Sequence, residues 1–148
     1  MRYIVYIHNM TIQNLVDVVK GIVLDDLGMS SYYVGNSWDM STGKADTYPN
    51  CWFEMPVLVN YNVQNKQYKT FVFSLDFLKL PEMDNTSDEI LKISECEVLA
   101  DKFLSYLKQD SDFSLVETPT GLSVKSINAD NACGIRLDIR VNAKRECL

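Results

Sequence analysis

The stretch CWFEMPVLVNYNVQNKQYKTFVFSLDF, residues 51–77, decides the fold. Its apolar residues recur at every second position: Phe53, Met55, Val57, Val59, Tyr61 and Val63 in the first arm, then Phe71, Phe73, Leu75 and Phe77 in the second. Successive side chains of a strand point to opposite faces, so this spacing makes two strands, each with one apolar stripe. The polar run Gln64-Asn65-Lys66-Gln67 between them reads as a turn, and the whole as a long β-hairpin. Pro56 cannot donate to a ladder, which favours an edge position, a bulge or a break in the first arm.

On the N-terminal side, Ile12, Leu15, Val16, Val19, Ile22, Val23 and Leu27 recur at helical spacing, with Asn9 or Thr11 as N-cap and Gly28 as stop. Gly21 inside this helix costs about 1 kcal/mol against Ala, so either a close neighbour requires it or the helix is locally imperfect. Residues 29–50 are rich in Ser, Gly, Asp, Asn and Tyr and read mainly as a loop, long enough to be a candidate contact segment between subunits.

After the hairpin, Pro81 ends the β structure and a second helix runs from near Thr86 to near Gln109, with Thr86 and Glu89 spaced as a capping box. Ile93, Cys96, Leu99, Ala100, Phe103 and Leu107 fall on one face; Asp88 and Lys92 pair at i,i+4 on another, and the acidic face is expected to be wet. Strands are expected over 113–117, 122–127 and 134–142, with a turn at Thr118-Pro119-Thr120-Gly121. The last is the clearest, with Ile135, Leu137, Ile139 and Val141 facing one way and Arg136, Asp138, Arg140 and Asn142 the other. The expectation is an α+β fold: a mainly antiparallel sheet with a long β-hairpin and two amphipathic helices packed on it, in the order α-β-β-α-β-β-β. The 148 residues read as a single domain, with 1–10 an N-terminal extension or strand and 143–148 a flexible tail.

Apolar residues make up 47% of the chain and charged residues 23%, ordinary globular usage that can supply a core. The net charge of −6 is unevenly spread: residues 81–117 hold ten acidic side chains against Lys92, Lys102 and Lys108, so the remainder is nearly balanced. Nucleic-acid affinity comes largely from clustered Lys and Arg releasing counterions, so sequence-specific nucleic-acid binding is not expected. No apolar run is long enough to span a bilayer, and residues 1–9 are too short for a signal peptide, so the chain is expected to be made in the cytoplasm.

The residue chemistry points away from catalysis. His8 is the sole histidine, and the usual serine and cysteine nucleophiles need an imidazole within hydrogen-bond reach. Gly35-Asn36-Ser37-Trp38-Asp39 lacks the second glycine of a nucleophile elbow. Cys51, Cys96, Cys133 and Cys147 are too scattered for a zinc ribbon or a redox pair and read as free thiols. Adjacent acids at Asp25-Asp26 and around Asp84, Asp88 and Glu89 suit helix ends better than a shared proton or a calcium loop, and no glycine-rich phosphate cradle occurs. No catalytic, cofactor or metal residues are therefore assigned, and the chain is expected not to be an enzyme. The residues left as candidates for protein contact are Tyr32, Tyr33, Trp38, Tyr48, Trp52 and Tyr68, aromatic side chains on the 29–50 segment and the hairpin.

The order helix, long loop, hairpin, helix and closing strands, with the loop entering the hairpin at Tyr48-Pro49-Asn50-Cys51-Trp52-Phe53, resembles the tail-terminator and neck proteins of long-tailed bacteriophages. The resemblance lies in layout, over residues 11–142, and not in a signature motif. It implies a structural virion protein made in the bacterial host: a homo-oligomeric ring at the head-tail junction, contacting other neck or tail proteins, with DNA passing through an acidic channel. It implies no cofactor and no membrane. Two other classes fit the same residues: a monomeric adaptor or inhibitor docking through the aromatic segment, and a small-molecule-binding domain or enzyme of unfamiliar type.

Overall fold

A computed structural model describes residues 9–42, 47–64 and 67–145. Most of the expected N-terminal extension, including His8, lies outside the described residues, as do Asn65 and Lys66 of the hairpin turn and tail residues 146–148 with Cys147. Helix α1 (Ile12–Gly21) continues as a π-helical turn (Ile22–Asp26), followed by strand β1 (Ser31–Asn36), helix α2 (Ser37–Thr42), strands β2 (Asn50–Tyr61) and β3 (Tyr68–Lys79), helix α3 (Thr86–Leu107), and strands β4 (Phe113–Leu115), β5 (Thr120–Val124) and β6 (Cys133–Lys144).

The fold is α+β, with three helices and a mixed six-stranded sheet in the order β1-β2-β3-β6-β4, β5 pairing with β6 beside β4. Residues 29–50 depart from the expected loop. Ser31–Asn36 pairs in parallel with residues 50–55 of β2, and α2 follows directly. The sheet is therefore mixed, and the order gains a strand and a helix between the first helix and the hairpin. Gly35 and the lack of alternation hide β1 in the sequence; its hydrogen bonds come from β2, and its side chains find partners on both faces. Tyr32 donates its hydroxyl to the Val16 carbonyl at 3.1 Å, while Tyr33 stacks on Trp52 with ring centroids 4.9 Å apart.

The hairpin is present. β3 pairs antiparallel with β2 on one side and with β6 along its whole length on the other. Between Glu54 and Leu58 the β2 register shifts, so two extra residues bracket Pro56, whose bond to Met55 is cis. An even insertion preserves alternation: Phe53, Met55, Val57 and Val59 all stay on the core side. β1 pairs with β2 only as far as Met55, so the proline stands where β2 becomes an edge strand. The final strands are shifted from their expected spans. Thr120 and Gly121 belong to β5 and not to a turn, and β6 extends through Ala143 and Lys144, so the tail begins later than residue 143.

The aromatic stripe of the hairpin and the aliphatic stripe of β6 face α1 and α3. Leu15, Val19 and Val23 of the first helical segment and Cys96, Ala100, Phe103 and Leu107 of α3 are buried against Phe53, Phe71, Phe73, Leu75, Phe77, Ile139 and Val141. Phe77 meets Phe103 at 5.6 Å, and Phe53 stacks on Phe73 at 5.2 Å. Thr11, not Asn9, caps α1 and forms a capping box with Asn14. Of the two readings of Gly21, local imperfection fits: nothing lies within 4 Å of a Cβ there, and the helix widens to π geometry at the next residue. Gly28, at φ +65°, ends the segment as expected.

The expected Thr86–Glu89 capping box is replaced. Asn85 is the N-cap and accepts from the Asp88 amide at 3.0 Å, while the Asp88 carboxylate turns back to the Glu82 amide. Asp88 also lies 3.8 Å from Lys92, the expected i,i+4 pair. The outward face of α3 is less polar than expected, because Ile90, Leu91 and Val98 stand exposed among its acids.

Two substitutions test this local chemistry. Asn85→Ala should lower stability by about 1 kcal/mol and Thr86→Ala by far less, measured by urea unfolding. Gly134 sits opposite Leu78, where a Cβ would lie 1.8 Å from the Phe77 carbonyl oxygen and 3.1 Å from Cys96 Sγ. Gly134→Ala should therefore cost about 1–3 kcal/mol in the same assay, the usual range for overpacking a core.

Candidate functional site

Residues opposite one another in an antiparallel sheet share a face, so the ladder assigns every side chain on the side away from α1 and α3. Six rows cross that open face. Asn50, Leu78, Gly134 and Val124 form the first; Trp52, Asp76, Arg136 and Leu122 the second; Glu54, Ser74, Asp138 and Thr120 the third; Leu58, Val72 and Arg140 the fourth; Asn60, Thr70, Asn142 and Ser114 the fifth; Tyr68 and Lys144 the last.

The first rows are roofed. Met40 of α2 and Ala132 of the β5–β6 loop bury a second apolar cluster with Trp52 and Leu78, and Tyr33, Tyr48, Val124 and Ile127 pack around it. The loop is held by Asn128, whose Oδ1 accepts from the amides of Asp130 and Ala132 and whose Nδ2 donates to the Tyr48 hydroxyl at 3.1 Å. Tyr48 in turn donates to the Asp130 carboxylate at 2.8 Å. Burial and this acidic partner push the Tyr48 hydroxyl up to about 12, so it remains a donor at neutral pH.

At the edge of this roof lies a carboxylate cluster. Asp76, on the central strand, is fully buried, and neither of its oxygens accepts a hydrogen bond from a donor. Glu54 on β2 is nearly buried and pairs with the Arg136 guanidinium at 3.0 Å. Arg136 also reaches Asp138 at 3.8 Å, and the Ser74 hydroxyl donates to Asp138. Burial raises the carboxyl of Asp76 to about 8, the neighbouring Glu54 charge pushing the same way and Arg136 opposing. Glu54 is also raised by burial, though Arg136 pulls it down. Two buried carboxylates with one guanidinium cannot both ionise cheaply, so burial favours the protonated form of Asp76 while Arg136 lies against Glu54.

Beyond the cluster the open face becomes a groove of about 590 Å³, with Pro56, Leu58 and Val72 on its apolar side and Glu54, Arg136 and Asp138 on its polar side. A second, shallow cleft of about 720 Å³ gathers Glu82, Asp84, Glu89, Lys125 and Asp130 before α3. Among the described residues, no three His, Cys, Asp or Glu side chains converge as a metal-ligand set. Burial raises the thiols of Cys51, Cys96 and Cys133, the last two to about 12 and about 11, so all three stay protonated at neutral pH.

The aromatic candidates divide. Tyr33, Tyr48 and Trp52 come together in the roofed cluster, and Tyr32 packs on the main core. Tyr68 is half-buried at the start of β3. Trp38 on α2 is the outward one, 72% exposed. Glu54, Asp76, Arg136 and Asp138 were not singled out from the sequence. Their shared parity on the polar side of the hairpin and of β6 was the available signal; the β3–β6 register that joins them was not. No helix among the described residues is long and apolar enough to cross a membrane. No protein-family model matches the chain, and no curated protein matches it in sequence.

The carboxyl pair sets a pH dependence. Folding raises Asp76 from 3.8 to about 8, so the folded state holds a proton that the unfolded chain releases above 3.8. The stabilisation linked to that proton is complete below the unfolded value and is lost as pH rises through about 8, at up to ~1.4 kcal/mol per pH unit. Asp76→Asn keeps a donor toward Glu54 without the ionisation. Urea unfolding across this window should show wild-type stability falling and the Asn variant holding nearly level.

Proposed function

We propose that this chain is a structural subunit that assembles into a ring, of the tail-terminator or neck kind found where a bacteriophage tail meets its head. The observation that carries the reading is the presence of two unlike, exposed apolar surfaces on opposite sides of one layered domain. On one side the outer face of α3 presents Ile90, Leu91 and Val98; on the other the open sheet face presents Leu58 beside Val72 and Pro56. A surface that pairs with its own copy gives a closed dimer, whereas two different complementary surfaces join subunits head to tail, and a head-to-tail contact that turns by a fixed angle closes into a ring.

The α+β layout supports the same reading, with α1 and α3 on one face of a sheet built around a long hairpin. So does the charge. Segment 81–117, which includes α3, carries ten acids against three lysines, and an acidic lumen repels the DNA that passes through it instead of retaining it. The proposed partners are further copies of the chain and the neighbouring neck or tail proteins, and the proposed location is the virion.

Purified protein at high concentration, analysed by light scattering and negative-stain electron microscopy, should contain oligomers of uniform mass that appear as rings with a central channel. A monomer throughout the concentration range would contradict the proposal.

A further inference from the structure

We infer that the roof over Trp52 and Leu78 is a lid whose closure depends on a proton held by Asp76. The inference stands apart from the ring reading and concerns the domain itself. α2 is tied to the end of β1 by a reciprocal pair of hydrogen bonds: the Asn36 amide donates to Asp39 Oδ2 at 3.1 Å, and the Asp39 amide donates to Asn36 Oδ1 at 2.9 Å. Beyond that hinge Met40 is the one buried side chain of α2 among the described residues, so a single apolar plug holds the helix down. The β5–β6 loop completes the roof, with Ala132 buried in the same cluster as Met40.

Asp76 sits where this lid closes. It is two residues from Leu78 on the same face of β3 and directly opposite Trp52, and both of those side chains pack with the plug. Both Asp76 oxygens, Trp52 Nε1 and Asn50 Oδ1 are buried there without a hydrogen-bond partner among the described residues. The charged groups facing Asp76 are Glu54 on β2 and Arg136 and Asp138 on β6. The roof adds the hydroxyls of Tyr33 and Tyr48, the latter bonded to Asp130, while Asp39 is turned to Asn36. One guanidinium, already 3.0 Å from Glu54, therefore serves three carboxyl groups. With its proton Asp76 is neutral, and a dry, closed lid is tolerated. Without it the carboxylate needs several donors, and the Trp52 N–H opposite can supply one at most. Lifting the Met40 plug lets water supply the rest, and the proton passes to solvent. Burial holds the carboxyl at about 8, so the closed form loses its advantage as pH rises toward that value.

Amide hydrogen exchange, corrected for the intrinsic rate at each pH, tests this on α2 and on the Ile127 and Ala132 amides, which bond to the Ala132 carbonyl and to Asn128 Oδ1. Opening below the global level should leave these amides at least about tenfold less protected than those of β3 and α3, and insensitive to low urea. Their protection should fall about tenfold per pH unit between about pH 6 and 8 and level off above, because opening releases one proton. Asp76→Asn should remove that slope. Asp138→Asn, at an exposed position, should move the levelling to lower pH, since the Asp138 charge helps to raise the Asp76 carboxyl. Roof protection that does not change with pH, or that equals the protection of β3 and α3 throughout, would overturn the inference. So would a slope that survives in folded Asp76→Asn or a levelling point that Asp138→Asn leaves in place.

Discussion

The hydrogen-bond register of β3 is the constraint on which the rest of this structure depends. The strand is bonded to β6 from end to end and to β2 along most of its length, so one alternation governs both faces of the sheet centre. A slip of one residue would turn Phe71, Phe73, Leu75 and Phe77 out of the helical core and put Val72, Ser74 and Asp76 into it. The four aromatic and aliphatic side chains, all buried, oppose that slip through the apolar area it would expose. The bulge at Pro56 obeys the same rule, since it inserts an even number of residues and leaves the facing of β2 unchanged.

That register has a consequence on the other face. It places Asp76 between Trp52 and Arg136 and beside Glu54, where a roof formed by α2 and the β5–β6 loop removes water from its neighbours. A buried carboxylate without donors is costly, and the chain answers by keeping the proton on Asp76 and the charge on a Glu54–Arg136 pair. The open face is thereby kept from becoming strongly anionic in a protein whose α3 region is acidic. The two sides of the domain end up with different character, the feature on which the proposed head-to-tail assembly rests.

Much of this architecture was legible from residue order. The period of two in residues 51–77 and 135–141 locates the hairpin and the closing strand, and the period near 3.6 locates α1 and α3, because burial on one face leaves that imprint on composition. β1 was not legible. Six residues containing a glycine become a strand only because β2 offers a parallel edge and the surrounding core offers sites for Tyr32 and Tyr33. The helix start near Thr86 was legible, but its cap was not, because Thr86 and Glu89 satisfy the same spacing rule as Asn85 and Asp88 one residue later. The candidate site was less legible still. Glu54, Asp76 and Arg136 sit on three strands, and Arg136 is separated from Asp76 by all of α3, β4 and β5, so no local pattern brings them together. Aromatic residues are the contact candidates that the sequence offers, yet Tyr33, Tyr48 and Trp52 spend their surface on the roof, while the outward Leu91 and Val98 lie among the charged residues of a helix whose outer face reads as acidic.

The most direct measurement of the central claim is a cryo-electron microscopy reconstruction of the assembled protein, at a resolution that orients each subunit. The account predicts a closed ring in which every subunit meets its two neighbours through two different surfaces, with the same contact repeated around the circle. A reconstruction in which like surfaces face each other across a two-fold axis would contradict it.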